Sequence, residues 1–177
     1  LMAHGWMDMS ASFQFVVDAL EGDWHVIAHD WRGFGLTERS GQDTYWFPDY
    51  FADLEAILDH YAPDGAVNLL GHSMGGLVAA SFVARGVRPV DALVLSSPAL
   101  ATFMNPLQKL LLATLPRIAP NLRVGNGLDA QYLSHDSAVV AAYLADPLCH
   151  DRISARLARF IADGGPATVA RAAHWSV

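Results

Sequence analysis

The stretch Leu69-Leu70-Gly71-His72-Ser73-Met74-Gly75-Gly76 decides the reading of this chain. Ahead of it, Ala66-Val67-Asn68-Leu69-Leu70 has the length and apolar composition of a buried strand. Behind it, Leu77 to Arg85 reads as an apolar helix closed by Gly86 in the capping position. Strand, sharp turn and helix, with Gly-x-Ser-x-Gly in the turn, is the arrangement of a nucleophile elbow. Ser73 then sits on a strained turn, and Gly71 and Gly75 let strand and helix approach closely. Its hydroxyl projects at a helix N-terminus, where unpaired N–H groups and the helix dipole favour developing negative charge. The plainer reading is a glycine turn with Ser73 as helix cap. That reading leaves unexplained a second signal upstream, His4-Gly5-Trp6 directly after an apolar start.

Working outward, strands and helices alternate through the first hundred residues. Leu1-Met2-Ala3 reads as the end of a buried strand. A helix capped by Ser10 or Ser12 carries Phe13, Phe15, Val16, Val17 and Leu20 and ends near Gly22. Trp24 to Ala28 is a second short strand, and Asp30-Trp31-Arg32-Gly33-Phe34-Gly35 leaves it as a loop that an Asp30–Arg32 pair can pin. His25 and His29 lack metal spacing on a strand and read as structural. The residues from Ser40 to Phe47 read as loop. Pro48 opens a helix whose inner face holds Tyr50, Phe51, Leu54, Ile57, Leu58 and Tyr61. Val90 to Ser97 is a fourth strand, stopped by Pro98. Buried strands at this spacing predict an α/β fold, a parallel sheet flanked by helices.

After Pro98 no further strand is expected. Asn105 to Leu115 reads as a leucine-rich helix stopped by Pro116. A helix capped by Ser134 runs to Ala145, where Asp146-Pro147 breaks it. Another, capped by Ser154, runs to Ala162 and closes at Gly164-Gly165. The expected organisation is a core over residues 1–99, a helical cap over 100–165, and a tail over 166–177 leading to an absent strand. Both ends read as cut, because the chain opens on Leu1 inside a strand and closes on His174-Trp175-Ser176-Val177. The leucine helix either lines an acyl pocket or packs on its own neighbours.

Composition bounds the function. The 177 residues suffice for one domain with a real core. They are 53% hydrophobic and 16% charged, with mean hydropathy +0.23. A net charge of −7 argues against nucleic-acid and anionic-membrane partners. The one cysteine, Cys149, excludes an internal disulfide and favours a reducing, cytoplasmic setting. No apolar run approaches the roughly 18 residues of a membrane span. No metal or cofactor is implied by any cluster.

These motifs together resemble the α/β-hydrolases of the esterase and lipase kind. His4-Gly5-Trp6 is similar to that family's oxyanion loop, Asp30-x-Arg32-Gly33-x-Gly35 to the loop after the next strand, and Gly71-His72-Ser73-Met74-Gly75-Gly76 to its elbow. The resemblance implies that the strands are the family's third to sixth, in spatial order 4-3-5-6. Residues up to the elbow look like proline-iminopeptidase-type esterases. Ser96-Ser97-Pro98-Ala99-Leu100, Asn126-Gly127-Leu128-Asp129 and Asp146-Pro147-Leu148 look like monoacylglycerol lipases and lysophospholipases. That split reads as a join at the elbow.

What the resemblance implies is a serine hydrolase of carboxylic esters. Ser73 attacks and is acylated, while the backbone N–H groups of Trp6 and Met74 hold the oxyanion. His4 and Gly5 shape the oxyanion loop, and Gly71, His72 and Gly75 shape the elbow. The partner is a small-molecule ester, and exposed sheet edges offer a route to oligomers. The family's acid and histidine follow its seventh and eighth strands, and neither is present by motif. His135 and His150 are the remaining candidates for a base, and the competing expectation is an incomplete hydrolase or binding module that does not turn over.

Overall fold

The computed structural model describes residues 1–38, 46–146 and 151–175. The expected loop after Ser40, the break at Pro147, Cys149 and His150 lie outside the described residues, as does the side chain of His174. The chain divides into two compact units, residues 1–103 with 160–177, and residues 104–159.

The first unit is built on β1 (Met2–Ala3), β2 (Ala28–His29), β3 (Asn68–His72) and β4 (Ala92–Ser96). They form one four-stranded sheet in the order β2-β1-β3-β4, with every neighbouring pair parallel. This is the 4-3-5-6 order implied by the resemblance. Met2 lies opposite Ala28 on one side and Leu70 on the other, so β1 is central and its exit loop lies beside that of β3.

Between the strands run α1 (Gln14–Ala19), α2 (Phe47–Tyr61) and α3 (Ser73–Ala84). Every residue of α3 from Met74 to Ala84 is buried, which is why that segment carries no polar face. Helix α2 contributes Tyr50, Leu54 and Leu58, and its entry is fixed by the Trp46 N–H donating to the Asp49 carboxylate at 2.9 Å. Each such aliphatic side chain contributes about 2 kcal/mol on burial.

Two expectations for the strands and helices up to α3 need correction. The second strand is only Ala28–His29, because Trp24 stays half exposed and its indole N–H donates to the Glu21 carbonyl at 2.8 Å, a turn rather than a ladder. Neither Ser10 nor Ser12 caps α1. That segment begins as a 3-10 turn over Ser10–Phe13, and the Ser12 hydroxyl donates to the Asp8 carboxylate and the Met9 carbonyl instead.

The second unit contains α4 (Pro106–Ile118), β5 (Arg123–Gly125), α5 (Ser137–Ala145), β6 (Arg152–Ser154) and the start of α6 (Ala155–Val169). β5 and β6 pair antiparallel, two strands the sequence did not announce because each is three residues long. Pro116 does not stop α4 but lies inside it. Proline there leaves the Leu112 carbonyl without its helical N–H, and the Arg159 guanidinium donates to that oxygen at 3.4 Å. Helix α5 is capped by Asp136 rather than Ser134, the Ala138 N–H donating to its carboxylate at 2.8 Å.

Helix α6 runs straight through Gly164-Gly165-Pro166 and re-enters the first unit. Glycine at 165 is required by packing, since a Cβ there would lie 2.6 Å from the Leu100 carbonyl carbon. Further along, the Thr168 and Ser81 hydroxyls, both buried, hydrogen-bond and tie α6 to α3.

Candidate active site

Ser73 is the first residue of α3 and directly follows β3. Its φ is +50°, a left-handed conformation that a serine adopts only under constraint. The constraint is the close approach of β1. A Cβ on Gly75 would lie 2.5 Å from the His4 carbonyl oxygen and would also collide with the Ala3 carbonyl. Only glycine lets the end of β1 cross the first turn of α3 there. Met74, between them, is fully buried.

The loop after β1 closes the site from the other side. The Cβ position of Gly5 lies 3.1 Å from the Ser73 Cβ, 3.3 Å from the His72 ring and 3.6 Å from the Ser73 hydroxyl. The structure thus brings Gly5, His72 and Ser73 together, with Trp6, half-buried, next along the loop. Among non-glycine described residues, positive φ occurs at Met7, Ser73 and Ser97, which follow β1, β3 and β4. Strain of this kind costs roughly 1–3 kcal/mol per residue and tends to gather at functional sites.

His4 holds the loop and has no capacity left for proton transfer. Its ring is completely buried. Nε2 accepts from the Trp31 N–H at 3.0 Å, so Nδ1 carries the proton and donates to the Gly5 carbonyl at 2.7 Å. Burial pushes its pKa below the usual histidine value, against smaller opposing effects of the Gly5 bond and of Asp8 and Asp30. The Trp31 indole N–H returns to the His4 carbonyl at 2.9 Å.

The neighbouring loop is pinned differently from the Asp30–Arg32 pair expected. Burial opposes ionisation of Asp30, but N–H groups of Ser10 and Leu36, at 2.6 and 2.8 Å, outweigh it and hold the carboxyl below its usual range. Arg32 instead reaches α2, where its guanidinium meets both Asp53 carboxylate oxygens, at 2.6 and 2.5 Å. Each Asp30 oxygen accepts a backbone N–H, and the arginine pairs with α2 instead.

The turn after β4 supplies contacts that sequence reasoning missed. The Ser96 hydroxyl lies 3.2 Å from His72 Nδ1, and the Ala99 N–H donates to the Ser73 carbonyl at 3.0 Å. In the sequence Ser96-Ser97-Pro98 reads as the end of a strand and as part of the resemblance to monoacylglycerol lipases, and nothing local marks a left-handed Ser97. Among the described residues no metal-binding cluster occurs, and no helix is long and apolar enough to cross a membrane.

Sheet order and elbow geometry define an α/β-hydrolase. The family Hydrolase_4, described as serine aminopeptidase, S33, matches residues 1–177, and the chain belongs to it. It is similar to a monoacylglycerol lipase of Mycolicibacterium smegmatis, 33% identical over 98% of this chain and 64% of that protein. The phospholipase YtpA of Bacillus subtilis is 31% identical over 88% of this chain and 62% of its own length. The chain therefore spans less than two thirds of either relative. Among solved structures, the monoacylglycerol lipase of Paleococcus ferrophilus superposes with a TM-score of 0.83 at 29% identity, covering 97% of this chain and 66% of that one. The match over 98% of the chain runs through both halves, so similarity to this family does not require a join at the elbow.

Proposed function

We propose that the protein is a serine hydrolase of carboxylic esters acting through an acyl-enzyme on Ser73. The observation that carries the reading is Ser73 at φ +50° on the β3–α3 elbow, with Gly5 packed beside its hydroxyl. Attack on an ester carbonyl would place the oxyanion at the N-terminus of α3, where the Met74 N–H and the loop N–H of Trp6 are assigned to hold it. One such donor typically contributes ~3 kcal/mol in the transition state. The relatives named as monoacylglycerol lipase and phospholipase support acyl-glycerol or lysophospholipid-like esters as substrates. A cytoplasmic setting belongs to the same proposal, on the single Cys149.

A second reading, a chain that binds but does not turn over, is favoured by one observation. Both nitrogens of His4 are engaged with the backbone and Nδ1 of His72 is engaged with Ser96, so neither is assigned as the base. Intact-mass spectrometry after fluorophosphonate treatment separates the two readings. A single adduct absent from Ser73→Ala establishes an activated serine. No adduct on the folded 19.1 kDa chain establishes the second reading.

A further inference from the structure

We propose that His72 is a positioning residue: clasped by the Ser96 hydroxyl, its imidazole sets the separation between the Gly5-Trp6 loop and Ser73. The proposal rests on the reading of Ser73 as nucleophile and of the Trp6 N–H as oxyanion donor.

Three contacts carry it. The His72 Nδ1 edge is fixed by the Ser96 hydroxyl at 3.2 Å, a bond from the end of β3 to the end of β4. The Cδ2 edge lies 3.3 Å from the Cβ position of Gly5, second there only to Ser73 among side chains outside the adjoining loop residues. Ser73 is held from the same turn, its carbonyl accepting from the Ala99 N–H at 3.0 Å. Ser97, between those two contacts, sits at φ +43°, and Pro98 abuts Gly76 on the next turn of α3. The β4 exit turn thus grips the nucleophile through its backbone and the oxyanion loop through His72. Because an oxyanion donor works only when aimed at the charge that develops, a loop that drifts loses rate before it loses substrate binding.

Two substitutions remove the clasp from opposite ends. Ser96→Ala deletes the hydroxyl and leaves the ring, and His72→Phe keeps the ring edge against Gly5 and deletes Nδ1. Each is expected to lower kcat on a p-nitrophenyl butyrate probe about tenfold with KM unchanged, a fraction of the 10²–10³ that a whole donor gives. The double variant should lose no more than either single variant, because both cut one connection. Hydrogen exchange across residues 4–8, read by mass spectrometry on the intact chain, should accelerate several-fold in both variants while residues 66–70 stay unchanged. Unchanged exchange at 4–8, or fully additive losses in the double variant, overturns the proposal. If the unsubstituted chain neither turns over ester nor takes the fluorophosphonate, the hydrolase reading falls, and the exchange comparison alone then decides the clasp.

Discussion

The two units solve the same problem, satisfying backbone and burying apolar surface, at very different density. In the first, parallel strands press against a helix with no exposed face from Met74 to Ala84, and two backbones meet where any Cβ would collide at Gly75. In the second, only Ile153 and Ala155 are buried hydrophobic residues among those described, and helices are held by side-chain caps and a three-residue ladder. The lesson is about tolerance. A site that must hold a left-handed serine needs neighbours that cannot give, and the first unit supplies them. The second is built of replaceable contacts worth about 1 kcal/mol each.

The sharpest way to break this contrast is Gly75→Ala. The new methyl would meet two backbone carbonyls that cannot rotate away, so a loss of about 3 kcal/mol or more is expected, with the largest fall in Tm of any substitution considered. A fully folded variant with unchanged Tm would show that β1 can move. Next comes His4→Ala, which strands the buried Trp31 N–H and leaves a cavity. About 3 kcal/mol should be lost in denaturant unfolding.

His29 tests the same unit through pH. Its ring packs edge-on against Trp31 at 4.2 Å between centroids, and both its nitrogens are sealed from solvent without a partner. Burial, reinforced by nearby His4, lowers its pKa to about 4. The unfolded chain takes up this proton near pH 6.5 and the folded one only near 4, so stability is full above 6.5 and falls as pH drops through that window. The span corresponds to on the order of 3 kcal/mol. His29→Leu should flatten that slope in thermal melts between pH 7 and 4, at no cost at pH 7. A slope that survives the substitution would assign it to other groups. The smallest effect is expected in the second unit. Asn105→Ala removes the capping box made with Gln108, at 2.8 and 2.9 Å, for about 1 kcal/mol, visible as reduced protection of α4 in hydrogen exchange.

The same contrast explains what could be read in advance. In the first unit the motif residues are there because backbone meets backbone, so Gly71, Ser73 and Gly75 announce their geometry. By contrast, Gly164-Gly165 in the first unit and Pro116 in the second read as stops in the sequence, yet both lie inside helices. Glycine 165 answers to Leu100, and the proline is tolerated where Arg159 takes up the freed carbonyl. Neither partner is near in sequence. The loop after β2 shows the same limit: Asp30 and Arg32 are two residues apart and oppositely charged, yet each has better partners elsewhere.

The sequence by itself determined the alternation of strand and helix, the parallel sheet and the elbow at Ser73. Each follows from local periodicity, from apolar runs too long to leave in water, and from glycines that only a close crossing explains. Tertiary structure alone decided which tautomer His4 adopts, that His29 is sealed without a partner, and that Ser96 and Ala99 reach back to the elbow. Those outcomes depend on which groups compete for the same donors and acceptors in space, and that competition involves residues 24 to 27 positions apart that no local pattern links.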